Sequence, residues 1–377
     1  MTAGGYQRLV QSTIGDWLRH GKKTGFVSAD SGGVHIASSK GKRDENQDRA
    51  IFLRVQSTIR ERPSIACIAL CDGMGGMQSG SASADLAISA FASSLVTGRG
   101  GRLPERLELA TEAANQAVHQ EYKGKGGATL AAVACSSLGE WSAINVGDSR
   151  IYTFFTSQGL RQISTDDTLE NMLSDLRLPS PSPEFRKLVR FIGMGDGLDA
   201  QSIALGQAQE VGWFVLVSDG AYGITEPIFR GIISHSETAL DAALKINDVS
   251  AWIGGSDNST VAILDRRASL FTSWQPSEAG SLQVVGVPGC LQLVIHSEIP
   301  KPVLSGPRVE TRKAPRRKDR DKPDRQTQIA DISRGVASGN VHDQAPARDI
   351  RPPSPNLVND NYVEPRLDVE ISECEES

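Results

Sequence analysis

The sequence predicts an α+β protein. Two observations lead there. Apolar runs of strand length come in neighbouring pairs joined by turn residues, as antiparallel hairpins do, and helical stretches lie between the groups of strands. The last quarter of the chain then changes composition altogether, so the folded part ends well before residue 377.

The bulk numbers bound the function. A chain of this length holds one large domain or two ordinary ones. A hydrophobic content of 39% and a net charge of -5 suit a soluble globular protein. That balance asks for neither nucleic acid nor a membrane surface as partner. The five cysteines (Cys67, Cys71, Cys135, Cys290, Cys374) are scattered and odd in number. They give no disulfide framework and no zinc spacing, which implies a reducing compartment. With no leader pattern and no apolar run of membrane-spanning length, the expectation is a cytoplasmic protein.

Residues 5–20 place Leu9, Val10, Ile14, Trp17 and Leu18 at helical spacing, an amphipathic helix that packs on the domain or on a partner. Residues 1–24 are therefore an N-terminal extension, and the globular domain spans 25–267. Val34–Ala37 reads as a strand. A polar loop with Lys42, Arg43, Asp44, Glu45, Asn46, Gln47 and Asp48 follows, then the strand Ala50–Leu53. The run Ser64–Leu70 is a buried strand that stops at Cys71-Asp72-Gly73-Met74-Gly75-Gly76, where glycines let the backbone turn sharply beside the carboxylate. If these two strands form a hairpin, Asp48 and Asp72 lie at the same end of the sheet.

Ser79–Val96 is a helix rich in Ala, Ser and Leu, and Pro104 opens a second helix ending near Tyr122. Gly126–Thr129 leads into the strand Leu130–Cys135. Trp141–Val146 and Ile151–Phe155 form a hairpin with Asp148 at its tip. From Asp166 to about Leu205 periodicity is weak, and an insertion of that length reads as a flap over a functional site. Trp213–Ser218 then runs into Asp219-Gly220. A helix over residues 236–246 is capped by Ser236, and Asp257 precedes the strand Thr260–Leu264. Residues 268–299 hold a small hairpin extension (282–285 with 291–295). Residues 300–377, rich in Pro, Arg, Lys, Asp and Ser with few apolar positions, are a disordered charged tail.

Aspartates 48, 72, 148, 219 and 257 each sit where a strand meets a turn. Any one of them could merely cap its turn. Five converging carboxylates would repel one another and resist desolvation, and divalent cations stabilise such a cluster. With no His or Cys among them the donors are hard oxygens, which favours magnesium or manganese. Arg43 close by can hold a phosphate bidentately, or else form a salt bridge to the carboxylates.

The ordered set Arg43-x-x-Asn46-x-Asp48, Cys71–Gly76, Gly126–Thr129, Asn145–Arg150, Ala204–Gly206, Val217–Gly220 and Gly254–Thr260 resembles the type 2C metal-dependent Ser/Thr protein phosphatases. The Asp-Gly-Met-Gly-Gly form is similar to the bacterial branch. The resemblance implies a four-layer α-β-β-α sandwich of two antiparallel sheets flanked by helices, with 25–267 as the phosphatase domain. It also implies two manganese or magnesium ions and a third, looser one. Asp72 would bridge two metals with the Gly73 carbonyl on one of them. Asp219 and Asp257 would complete the other, Asp48 would hold metal-bound water, and Asp148 with Asp219 would serve the third. Arg43 would bind the substrate phosphate, so Arg43, Asp48 and Asp72 carry the catalytic roles.

Three positions depart from the pattern: Gln47 where members often have a carboxylate, Met74 where animal members have a histidine, and Asp167 where a histidine is common. The expected activity is hydrolysis of phosphoserine and phosphothreonine on proteins, opposed by a Ser/Thr kinase. The alternative is a catalytically weak regulatory or binding protein on the same fold. A metal-dependent nuclease ranks below both, because its basic residues would lie in the tail.

Overall fold

The structure is a computed structural model. It describes residues 3–29, 33–56, 63–74, 79–98, 101–173, 187–206, 209–271, 281–296 and 366–372. The described residues belong to one compact unit, Met1–Ser297 with Glu364–Ser377. Its helices are α1 (Ala3–His20), α2 (Gly80–Thr97), α3 (Leu103–Tyr122), the single turns α4 (Leu169–Met172) and α5 (Asp219–Tyr222), α6 (Glu226–His235) and α7 (Ala239–Trp252). The strands are β1 (Gly25–Ser28), β2 (Val34–Ser39), β3 (Asp48–Val55), β4 (Ile65–Asp72), β5 (Leu130–Ser136), β6 (Trp141–Val146) and β7 (Arg150–Phe155). After them come β8 (Gly159–Gln162), β9 (Ser202–Gly206), β10 (Trp213–Val217), β11 (Ser259–Asp265), β12 (Ser281–Gly286), β13 (Gly289–His296) and β14 (Arg366–Ser372).

Two antiparallel sheets stack face to face. One runs β1-β2-β11-β10-β7-β8 and the other β14-β13-β12-β3-β4-β5-β6-β9. Alternation along β4 shows how the layers are built, since successive side chains point to opposite faces. Ile65, Cys67, Ala69 and Cys71 join a core with α1, α2 and α3. Ala66, Ile68 and Leu70 meet Phe214, Leu216 and Ala262 of the other sheet. On the far side, Val215, Val217, Val261 and Ile263 pack under α6 and α7. Strands buried on both faces read as unbroken apolar runs, which is why β4 was legible. The four-layer sandwich expected from the family resemblance is present.

Local chemistry agrees with most element boundaries. Pro104 sits in the first turn of α3, where its missing N–H costs nothing, and the Arg102 N–H donates to Glu105 Oε2 at 3.1 Å. The cap expected at Ser236 falls elsewhere. Ser236 closes α6, its hydroxyl donating to the Ile232 carbonyl at 2.8 Å. Thr238 caps α7 by accepting from Asp241 N–H at 3.1 Å. A helix ending and another beginning within three residues look like one start signal in the sequence.

The region after residue 267 corrects two expectations. The hairpin β12–β13 is not a separate extension, because β12 pairs with β3 from Leu282↔Val55 to Gly286↔Ile51 and continues the sheet. Within the stretch expected to be disordered, β14 pairs with β13 over seven residues, Cys290↔Ser372 to His296↔Arg366. The remainder of 300–377 lies outside the described residues, as do Ser180–Pro183 of the expected flap and Gly75 and Gly76 of the glycine-rich turn.

Candidate active site

Hairpin pairing gathers the carboxylates at one end of the sandwich. Asp48 opens β3, Asp72 closes β4, and the two are direct cross-strand partners. Like charges placed so are destabilising unless something neutralises them. In the other sheet β10 leads into Asp219, β11 starts just after Asp257, and Val217 pairs with both Val261 and Arg150. That last pairing brings the β6–β7 turn with Asp148 to the same end. Gly147 in this turn has φ +97°, and a Cβ there would meet Thr129 Cγ2 at 2.7 Å, so only glycine fits.

Hydrogen bonds fix each element of the cluster. Ser218 Oγ donates to Asp48 Oδ2 at 2.7 Å and accepts from Thr260 N–H at 2.9 Å. Asp48 N–H donates to Asn46 Oδ1 at 3.1 Å. Asp72 N–H donates to Thr129 Oγ1 at 2.9 Å, and the Thr129 N–H returns a bond to the Asp72 carbonyl at 2.8 Å. Gly73 N–H donates to the Gln47 carbonyl at 3.2 Å, which ties the two aspartate loops together. Asn258 Oδ1 accepts from Gln47 N–H, and its Nδ2 donates to the Lys40 and Glu45 carbonyls, so it staples the Arg43 loop. The sequence reading assigned no role to Ser218, Thr129 or Asn258. Their only signal was membership of the motifs.

Burial and mutual repulsion dominate the electrostatics of the cluster. Burial raises the Asp48 carboxyl to about 7, against the hydrogen bond from Ser218, with Asp219 and Asp257 adding repulsion. Burial and then Asp48 and Asp219 push Asp72 well above the usual range. Burial and Asp219 raise Asp148 to about 6, and burial and Asp257 raise Asp219. Asp48 Oδ1 is buried and has no hydrogen-bond partner among the described residues. An orphaned carboxylate oxygen amid mutually repelling acids fits a divalent cation and its waters. Among the described residues no three acidic, His or Cys side chains enclose an ion by themselves. Magnesium-type ions accept that, being held by one or two carboxylates while keeping several waters.

Arg43 Nη2 donates to Asp257 Oδ2 at 2.6 Å, and that pairing raises the guanidinium pKa further. The structure thus has the salt bridge, with the arginine half-exposed at the rim.

The base of the expected flap is anchored on the Asp148 turn. Arg150 grips Asp166, Nε to Oδ2 at 3.0 Å and Nη2 to Oδ2 at 2.7 Å, and lies 3.8 Å from the centroid of the Tyr222 ring. Asp167 Oδ2 accepts from Gly147 N–H at 3.0 Å, and its Oδ1 from Arg190 Nε at 2.9 Å. Asp166 and Asp167, the second of which departs from the family pattern, are therefore both ion-paired anchors. The triplet Ala204-Leu205-Gly206 is placed differently from the other motifs. It ends β9 against Trp141, at the opposite end of the strands from the carboxylates.

No family model matches the chain. It is 28% identical over 229 residues to the serine/threonine protein phosphatase PstP of Mycobacterium tuberculosis, covering 57% of this chain and 43% of that protein. The chain thus matches less than half the length of that curated relative. The catalytic domain of PstP in complex with two manganese ions superposes with a TM-score of 0.50 at 25% identity, over 62% of this chain and 96% of that one. The phosphatase Stp1 from Staphylococcus aureus gives 0.53 at 18% identity, over 65% and 97%. The fold is the one these phosphatases share, and the likeness to PstP supports the type 2C protein phosphatase family, bacterial branch.

Proposed function

We propose that the chain is a metal-dependent phosphatase acting on phosphoserine and phosphothreonine in proteins, opposed by a Ser/Thr kinase. The observation that carries this is the convergence of Asp48, Asp72, Asp148, Asp219 and Asp257 at one end of the sandwich, with Asp48 Oδ1 unpartnered among the described residues. Asp72, the Gly73 carbonyl, Asp219 and Asp257 would hold two manganese or magnesium ions, and Asp148 with Asp219 a third. Such ions, when bound, lower the pKa of water and neutralise charge on phosphoryl oxygens. Ser218 orients the Asp48 carboxylate so that its free oxygen can accept a hydrogen bond from the attacking water. Arg43 exchanges Asp257 for the phosphate and aligns it, since its planar fork matches two phosphoryl oxygens. Among the described residues the cysteines are all buried, with burial pushing the Cys71 thiol well up, and the Ser218 hydroxyl beside the carboxylates is engaged with Asp48 Oδ2. Met74 cannot donate a proton, so the leaving serine or threonine oxygen takes its proton from water.

The test is hydrolysis of p-nitrophenyl phosphate and of a phosphothreonine peptide while manganese is titrated into metal-stripped protein. Metal-dependent turnover of both is the expected result. No turnover at millimolar manganese with the fold intact moves the assignment to a regulatory protein on the same fold.

A further inference from the structure

Arg49 follows Asp48 in the chain but points to the other face of β3, as alternation requires. There its guanidinium is buried at 4% exposure. Nε donates to Asp85 Oδ1 at 2.5 Å and Nη2 to Ser81 Oγ at 2.6 Å, both in the first two turns of α2. Nη1 donates to the Asn46 carbonyl at 2.8 Å and the Asp48 carbonyl at 2.7 Å. The carbonyl between them, Gln47 O, accepts from Gly73 N–H. Three consecutive carbonyls of the Asp48 loop are thereby fixed. One guanidinium holds two of them, and the third is held by the residue whose own carbonyl is a proposed metal ligand.

The grip extends to α1. Asp85 lies 3.9 Å from Lys23 Nζ, which also donates to the Leu18 carbonyl at the end of that helix. Asn46 Nδ2 donates to the Lys23 carbonyl at 2.7 Å. The chain leaving α1 therefore touches the Asp48 loop directly and again through Asp85. Val10, Ile14, Trp17 and Leu18 of α1 are buried in the same core as α2, so this segment has a firm base.

We propose that Arg49, gripped by Asp85, is a positioning residue that sets Asp48 and Gly73 for metal, and that Lys23 makes α1 part of the support. The inference rests on the metal reading above. Groups that orient ligands control metal affinity nearly as strongly as the ligands themselves. Arg49 suits the task because its rigid fork bonds two carbonyls, a hydroxyl and a carboxylate at once, whereas a lysine offers a point charge on a flexible stem.

The competing account is a buried ion pair that serves the fold alone, and metal binding separates the two. Metal-stripped full-length protein is titrated with manganese by calorimetry, with melting temperature and far-UV circular dichroism as controls. Arg49→Lys and Asp85→Asn should weaken manganese binding about tenfold. The manganese needed for half-maximal p-nitrophenyl phosphate hydrolysis should rise by the same factor, with kcat at saturating metal within about twofold. Lys23→Met leaves the Arg49–Asp85 pair intact and should weaken binding about threefold, which keeps the test alive if the other variants do not fold. Wild-type manganese affinity in the folded variants, whatever their melting temperatures, overturns the proposal. A wild type that binds manganese but hydrolyses nothing defeats the phosphatase reading, while the binding constants still decide this one. A wild type that binds no manganese defeats both.

Discussion

Ser218 and Asp48 are joined by a 2.7 Å hydrogen bond that spans the two sheets, and the second oxygen of Asp48 is buried with no hydrogen-bond partner among the described residues. A hydroxyl at the end of β10 thus determines which oxygen of a β3 carboxylate remains available. Asp72 faces Asp48 across the strand pair, and Asp219 and Asp257 lie close enough to repel it.

The raised carboxyls make the metal-free protein sensitive to pH. Asp48 titrates near 7 in the folded state against 3.8 as the reference, and Asp148 near 6. Between those values the folded state binds more protons than the unfolded one, so these groups lower stability as pH rises from about 4 to about 7, after which their cost is constant. Asp48→Asn removes the largest part of that burden. The metal-stripped variant should melt on the order of 5 °C above wild type at pH 7.5 and close to it at pH 4. Manganese should narrow the gap at pH 7.5 by relieving the repulsion that the wild type alone carries at Asp48. A variant less stable than wild type at both pH values would show that Asp48 is held chiefly by its hydrogen bonds.

Asp72 and Asp219 carry the proposed metal contacts, so Asp72→Asn or Asp219→Asn should reduce turnover about a thousandfold or more at saturating manganese, the loss of several kcal/mol of charge stabilisation. Circular dichroism should be unchanged, and without metal both variants should be at least as stable as wild type because a repelling charge is gone. Rates like wild type would remove these residues from the metal assignment.

Arg43 has two partners in the proposed cycle, Asp257 and the substrate phosphate. Arg43→Ala should raise KM about tenfold or more, the worth of a charged hydrogen bond, and lower kcat less. Steady-state kinetics on p-nitrophenyl phosphate decide the matter. An unchanged KM would mean that Arg43 serves only to hold Asp257, where the structure places it.

The site was legible because each aspartate ends or begins a strand whose apolar run is unmistakable, and hairpin pairing then forces neighbours to one end. Asp48↔Asp72 follows from two adjacent strands and a short connection. Ser218, Asn258 and Arg49 were not legible as actors. Their partners Asp48, Gln47 and Asp85 come from other segments, and no periodicity signals a bond over 170 or 211 residues. The same limit hid the β12–β3 pairing. Alternation identifies a strand but not which strand it joins. Ala204–Gly206, quoted only as part of the family's ordered set, ends its strand away from the carboxylates, so belonging to the set does not by itself place a motif at the site.

The last prediction concerns β14. Seven residues of the tail pair with β13, and Val369 and Ile371 stay 47% and 62% exposed, so the strand gains its backbone bonds while covering little apolar surface. An edge strand held mainly by its ladder contributes modestly, since the chain must also lose conformational entropy to lie there. Ending the chain after residue 296 should therefore lower the melting temperature by only a few degrees. Hydrolysis of p-nitrophenyl phosphate should remain within about twofold of the full chain, because β13 and β12 separate β14 from β3, which carries Asp48. The newly bared edge of β13 presents unpaired backbone groups, so the truncated protein should self-associate more readily as concentration rises. Light scattering of the two forms at matched concentrations measures that directly. If the truncated protein stays monomeric and loses its activity instead, β14 supports the catalytic end and its role must be sought through β12 and β3.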